Sequence, residues 1–272
     1  MADALIIPAC PEVLLQLAEE IQKPEPDIQV ISELVNRDIG LYSALLATVN
    51  SPVLGLSQQV ESTHQAIMVL GYQKTFTLLQ SIIMRNNLEK HGRLDRFWDT
   101  ATEVAGLCAR LAREMGGVNQ DKAYSIGMMH DIGIAVMMAN FESYRDFLRD
   151  VSSFDLREIA RLEVEHYGVD HFTLGYRLAK EWHLPVAVNK TILLQPLFEK
   201  AFHGDIQVHD GLLGYLAILM LAKDISAEYR HFWRLDSPEH FPEYLVPVLE
   251  FLELEKMDYL DLKEKLVDEL QS

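Results

Sequence analysis

Ser125-Ile-Gly-Met-Met-His130-Asp131-Ile-Gly133-Ile-Ala-Val-Met-Met-Ala139 carries two polar side chains in a segment that is apolar on nearly every face. Such a segment reads as a buried helix or as two half-helices meeting inside a core. A carboxylate taken out of water alone costs several kcal/mol, on the order of the whole stability of a small domain, so Asp131 needs an answer. It is paired, hydrogen-bonded, protonated or metal-bound. Neighbouring helical residues point about 100° apart, yet a metal near a helix end takes both side chains of a His-Asp pair, and Gly133 supplies such an end. Against this stands a plain packing role, with Asp131 accepting backbone or Arg hydrogen bonds and His130 neutral in the core. Two ligands alone fall short of the three protein groups that catalytic sites offer.

Outward from this segment the chain reads as helices punctuated by Gly and Pro, and no strand pattern competes. Pro11 opens Glu12–Gln22, Asp27 caps Ile28–Asn36, and Asp38 to Asn50 follows, stopped at Ser51-Pro52. Ser62 caps a segment that ends at Gly71, and Tyr72–Leu88 completes the first block. Polar residues Glu89–Leu94 mark the internal boundary. Phe97, Ala101, Val104, Cys108, Leu111 and Met115 then form the stripe of a long helix closed by Gly116-Gly117. Asp155–Tyr167 ends at Gly168, Asp170 caps Phe172–Trp182, and Gly211–Ala222, Tyr244–Leu252 and Met257–Leu270 complete an all-α reading. Trp98, Trp182 and Trp233 are expected in the core or at a subdomain interface rather than as ligand platforms.

The 272 residues give a formal net charge of −17, with 24 Lys and Arg against 41 Asp and Glu. That balance opposes a surface made for nucleic acid or anionic lipid. Arg145, Arg149, Arg157 and Arg161 are the only support for the former, and Asp146, Asp150 and Glu158 answer them as helix-surface ion pairs. Residues 201–272 carry −9 of the total, either a solvated face or a docking surface for a basic partner. Two cysteines, Cys10 and Cys108, are too few for a disulfide framework, and a cytoplasmic location is expected. The first residues lack the pattern of a signal peptide, and the longest apolar runs, such as Leu212–Ala222, fall well short of the roughly 20 residues that cross a bilayer. No glycine-rich phosphate loop and no Gly-x-Ser-x-Gly elbow is present, and Cys108 on its apolar stripe reads as a buried small hydrophobe.

Several segments, in order, resemble the HDOD family, the non-catalytic relatives of HD-type metal phosphohydrolases. They are Ile7-Pro-Ala-Cys-Pro-Glu-Val-Leu14, Val35-Asn-Arg-Asp38, Leu45-Leu-Ala-Thr-Val-Asn-Ser51 and Gln65-Ala-Ile-Met-Val-Leu-Gly71, then Phe97-Trp98, Gly127 to Gly133, Gly168-Val-Asp-His171, Gly175 and Trp182-His-Leu-Pro185. The resemblance covers roughly residues 5–200. It implies a helical bundle with an N-terminal helical subdomain, residues 1–90, packed on an HD-like helical subdomain, residues 91–200, followed by an acidic helical extension, 201–272. It also implies a bacterial signalling output module that works by binding a protein or small ligand, with a signalling protein as partner.

The same resemblance shows what an active HD enzyme would need and this chain lacks. A metal-ligating His on the long helix is matched by Thr100, the Lys that commonly follows the His-Asp glycine by Ile134, and a later pair of histidines by Leu194 and Gln195. What remains is His130, Asp131 and His171, with Asp170 beside the last. No catalytic residue and no cofactor is expected; one weakly held divalent metal is the option left open, with Glu103 as a substitute carboxylate. His171 has the alternative of a helix-start histidine bonded inside the core. The competing function is an HD-class metal-dependent phosphohydrolase acting on a nucleotide or phosphodiester.

Overall fold

The computed structural model describes residues 5, 7–51, 56, 59–88, 94–235 and 241–271. Pro52 and residues 89–93, where the sequence predicts a helix stop and a boundary, lie outside them. Among the described residues there is no strand. The chain divides into two compact units, Pro8–Arg93 and a second that takes in Leu94–Ser272.

The first unit holds α1 (Glu12–Ile21), α2 (Ile28–Asn36), α3 (Ile39–Val49), α4 (Thr63–Leu70) and α5 (Tyr72–Leu88). The expected caps form at Asp27 and Ser62, and Asp38, read from the sequence as the first residue of its helix, is instead the cap of α3: the three side chains accept from the first free amides of α2, α4 and α3. Each helix turns its apolar stripe inward, with Leu14, Leu17, Ile31, Val35, Leu45, Val49, Leu78 and Leu79 almost fully buried.

The second unit is built on α6 (Asp95–Met115), whose stripe from Phe97 to Leu111 is buried as its spacing predicts. It continues with α7 (Gln120–Met129), α8 (Ile132–Asn140), α9 (Tyr144–Val151), α10 (Leu156–Tyr167), α11 (His171–Glu181) and α12 (Val186–Leu194). Then come α13 (Phe198–Phe202), α14 (Asp210–Ile225), α15 (Ala227–Trp233), α16 (Val246–Phe251) and α17 (Lys256–Gln271). The apolar segment from Ser125 to Ala139 falls on two half-helices, α7 and α8, broken at His130 and Asp131. Around it α6 packs on α7, α14 and α15, while α8 packs on α11.

Residues 201–272, set apart in the sequence by their acidity, thus belong to the same compact unit as 94–200. A buried carboxylate ties their helices together. Asp224, on α14, accepts from Arg230 Nη2 at 2.9 Å on α15, from Lys263 Nζ at 2.7 Å on α17 and from the Tyr259 hydroxyl. Two cations and a phenol on one carboxylate satisfy its lone pairs, the condition under which a buried charge is tolerated. Elsewhere Arg149 pairs with Asp146, and Arg161 pairs with Glu158 at 2.7 Å, on exposed helix faces. No helix of the described residues is long and apolar enough to cross a membrane.

Candidate functional site

The site grows from the break between α7 and α8. His130 closes α7, and its Nδ1 lies 2.7 Å from the Gly127 carbonyl, which as an acceptor fixes the proton on that nitrogen. The other ring nitrogen, Nε2, faces the Asp131 carboxylate, with 3.2 Å to Oδ2. Both residues are buried. Only glycine fits two residues on. A Cβ on Gly133 would stand 1.7 Å from the His171 carbonyl oxygen, so α8 and α11 touch backbone to backbone, and this brings His171 beside the pair.

The answer to Asp131 comes from α14. Lys223 Nζ lies 3.7 Å from Asp131 Oδ1, donates to Gln195 Oε1 at 2.6 Å and sits 4.7 Å above the Tyr229 ring. Gln195 in turn donates through Nε2 to the His130 carbonyl at 2.7 Å. One amide therefore spans the lysine and the backbone of the His-Asp turn. Burial alone would raise the Asp131 carboxyl, but His130, Lys223 and His171 hold it well below the usual carboxylate range. Burial lowers the Lys223 ammonium below its ordinary range, and Asp131 recovers only part of that loss.

His171 opens α11, whose cap is the Asp170 side chain accepting from the Thr173 amide. Its backbone N–H donates to Glu163 Oε2 at 2.9 Å, and Nδ1 lies 2.7 Å from Glu163 Oε1. Glu163, fully buried, also accepts from the Tyr144 hydroxyl. Burial disfavours the imidazolium, yet Glu163, Asp131 and Asp170 outweigh it and the His171 pKa is raised. A raised folded pKa contributes stability that is complete below the unfolded value, about 6.5, and is lost as pH rises through the folded value. The stability advantage of the wild type over His171→Gln is therefore expected to shrink between pH 6 and pH 9 in urea titrations. An advantage that is flat or grows with pH contradicts the assignment.

The structure brings His130, Asp131 and His171 into one buried neighbourhood and disposes of the other candidates. The Thr100 hydroxyl donates to the Arg96 carbonyl at 2.8 Å within its own helix. Glu103 is not a substitute ligand: its Oε1 accepts from the Ser226 hydroxyl at 2.7 Å and the Glu228 amide at 3.1 Å, holding the start of α15 against α6. Among the described residues no three His, Cys, Asp or Glu side chains converge in a way that could hold a metal ion. The divalent cation of HD-type sites does not fit this donor set, because an ammonium already faces the carboxylate and the amide of Gln195 is spent on that ammonium. Sequence reasoning missed Lys223 and Glu163 as members of the site. Cys108 is inert, its thiol pushed up by burial.

A unit with no strand among its described residues, with its buried helix broken at a His-Asp pair and a second histidine set beside it, defines an all-helical His-Asp protein. The chain belongs to the HDOD family, whose domain model matches residues 7–196. It is 25% identical over 195 residues to a protein of Treponema pallidum (strain Nichols), covering 68% of this chain and 37% of that one. It is 30% identical over 114 residues to YuxH of Bacillus subtilis (strain 168), covering 42% of this chain and 28% of that one. The matches thus span about a third of the length of these curated relatives.

Among solved structures, the fold is similar to an HDOD domain protein of Geobacter sulfurreducens, with TM-score 0.67, 21% identity and coverage of 97% and 89% of the two chains. It is also similar to a protein of Shewanella amazonensis SB2B assigned to the phosphohydrolases, with TM-score 0.68, 21% identity and coverage of 96% and 90%. A third is a Marinobacter aquaeolei VT8 protein assigned to signal transduction, with TM-score 0.71, 18% identity and coverage of 96% and 57%.

Proposed function

We propose that this chain is a non-catalytic output module of bacterial signalling, cytoplasmic, that acts by binding a signalling protein or a small ligand and keeps no resident metal. The observation that carries the reading is the Lys223 ammonium 3.7 Å from Asp131 Oδ1. In an HD enzyme the carboxylate and its histidine hold a metal that activates water. Here a fixed organic cation balances the same carboxylate, and an ammonium supplies neither an open coordination position nor an acidified water. His130 Nδ1 is engaged by the Gly127 carbonyl and Gln195 bridges lysine and backbone, while His130 Nε2, His171 Nε2 and Asp131 Oδ1 make no hydrogen bond among the described residues and Asp131 Oδ1 is answered by the charge of Lys223. The likeness to the Marinobacter protein assigned to signal transduction supports the signalling part of the reading.

The test is turnover. Purified protein is offered p-nitrophenyl phosphodiesters, cyclic dinucleotides and nucleoside triphosphates with Mn²⁺, Fe²⁺, Ni²⁺ or Zn²⁺. No hydrolysis above buffer is expected. Hydrolysis that His130→Ala abolishes makes the chain a metal-dependent phosphohydrolase and overturns the proposal.

A further inference from the structure

A cavity of about 280 Å³ lies in the second unit, and the lysine that balances Asp131 forms part of its wall. Its lining is mostly apolar and aromatic: Phe198, Met220, Tyr229, Trp233 and Tyr244 share it with Lys223. Phe198 and Tyr244 meet edge to face at 6.0 Å between ring centres. Phe154 and Leu235, both exposed, also line it, so the cavity communicates with solvent. Its volume falls just under the roughly 300–1,000 Å³ typical of drug-sized ligands, which suits a molecule of one or two rings. Aromatic walls favour a flat aromatic occupant through offset and edge contacts.

Two buried donors decide the polar end of the ligand. Trp233 is 3% exposed, and its indole Nε1 has no hydrogen-bond acceptor among the described residues. Lys223 gives one N–H to Gln195 and stands at 3.7 Å from Asp131, which leaves donor capacity on the cavity wall. A buried donor without an acceptor costs about 1–3 kcal/mol, so a ligand atom that accepts from these groups is favoured.

Charge then narrows the choice. Lys223 offsets Asp131, and His171 is paired with Glu163, so the polar cluster behind the wall is already balanced. A ligand carboxylate would place a further anion beside Asp131 and against Asp155 and Glu199, which also line the cavity, and a ligand cation that reached the inner wall would meet Lys223. We infer that the cavity binds an uncharged, flat aromatic molecule of one or two rings that carries a carbonyl-type acceptor, held by Trp233 Nε1 and Lys223 Nζ. The inference names the ligand class of the binding module proposed above and rests on that reading.

The experiment follows the three tryptophan indole N–H signals in ¹⁵N-labelled full-length protein titrated with 2-naphthamide and, separately, 2-naphthoate. Trp233→Phe assigns the Trp233 signal. A saturable shift confined to that signal is expected with the amide, and the carboxylate is expected to bind at least tenfold more weakly. Trp233→Phe, followed through ligand signals, should weaken the amide roughly threefold to tenfold, the worth of one neutral hydrogen bond. Ser153→Trp, at an exposed position on the lining, should abolish binding while unfolding at the wild-type temperature.

No saturable shift up to the solubility limit overturns the inference, as does binding untouched by Ser153→Trp. Equal affinity for amide and carboxylate overturns the neutral-ligand assignment. Turnover is scored apart: amide binding together with phosphodiester hydrolysis sinks the non-catalytic reading and leaves the site standing. Absence of both sinks the site alone.

Discussion

Lys223→Met should lower the unfolding free energy by about 3–5 kcal/mol, the cost of leaving a buried carboxylate without its partner. Both members of the pair are only 4% exposed, and the Lys223 ammonium is the cation that faces Asp131 Oδ1, so solvent cannot take over. The variant also frees Gln195 Oε1, which accepts from Nζ at 2.6 Å, in a fully buried position. Asp131→Asn should lose stability by a comparable amount, because it strands the lysine instead. The double variant Lys223→Met/Asp131→Asn should then recover much of the loss, with a coupling of about 2–3 kcal/mol in the cycle. Urea titrations of the four proteins measure it. Additive losses would mean that the two groups do not depend on one another.

Gly133→Ala should be as damaging or more, at a loss of more than about 4 kcal/mol, the range reserved for a specific structural failure. The added Cβ would stand 1.7 Å from the His171 carbonyl oxygen and 2.8 Å from the Gly175 amide, and both are backbone atoms that no rotamer change can move. Either α8 and α11 separate or the helix break at Asp131 shifts, and each outcome displaces His171 from the site. Gly106→Ala is the matched control. That glycine lies inside α6 with nothing within 4 Å of its added Cβ, so the change should be neutral or stabilise by up to about 1 kcal/mol. Should Gly133→Ala unfold within 1 kcal/mol of wild type, the backbone contact of α8 with α11 is not as described.

What could be read from the sequence follows the range of the forces involved. Caps act within three residues, so Asp27, Ser62 and Asp170 announce their helices, while Asp38 and Asp155, read as first helical residues, prove to be caps, each helix starting one residue later. The His-Asp pair was legible because a charge inside an apolar run must be answered somewhere. Its partner was not legible. Lys223 stands at the end of an apolar run, where a basic residue ordinarily complements a helix C-terminus, and it reaches a glutamine 28 residues away. Glu163 shares its helix with Arg157, Arg161 and Glu165, and nothing in its sequence neighbourhood marks it out, yet it alone of these is fully buried.

Glu103 misled for a related reason: its place one turn beyond Thr100 suggested a ligand, while its partners, Ser226 and Glu228, lie more than 100 residues later. The helix they begin, α15, has 7 residues, fewer than two full turns beyond its cap, and such a segment has no periodicity to detect. Tyr229 and Trp233 arrive on that helix, which is why the cavity wall was invisible from the sequence and Trp233 was read as a core or subdomain-interface residue.

The central claim is that an ammonium has taken the place of a metal at the His-Asp pair, and metal-linked stability tests it most directly. A cation that binds the folded state at 100 times its Kd raises the unfolding free energy by about 2.7 kcal/mol. Protein stripped with chelator is unfolded in urea with and without Mn²⁺, Fe²⁺, Ni²⁺ and Zn²⁺, alongside His130→Ala, with metal content determined on the same samples. The predicted result is one stability for all conditions and far less than one metal per chain. A metal-dependent gain of stability with near-stoichiometric metal, both lost in His130→Ala, would contradict it.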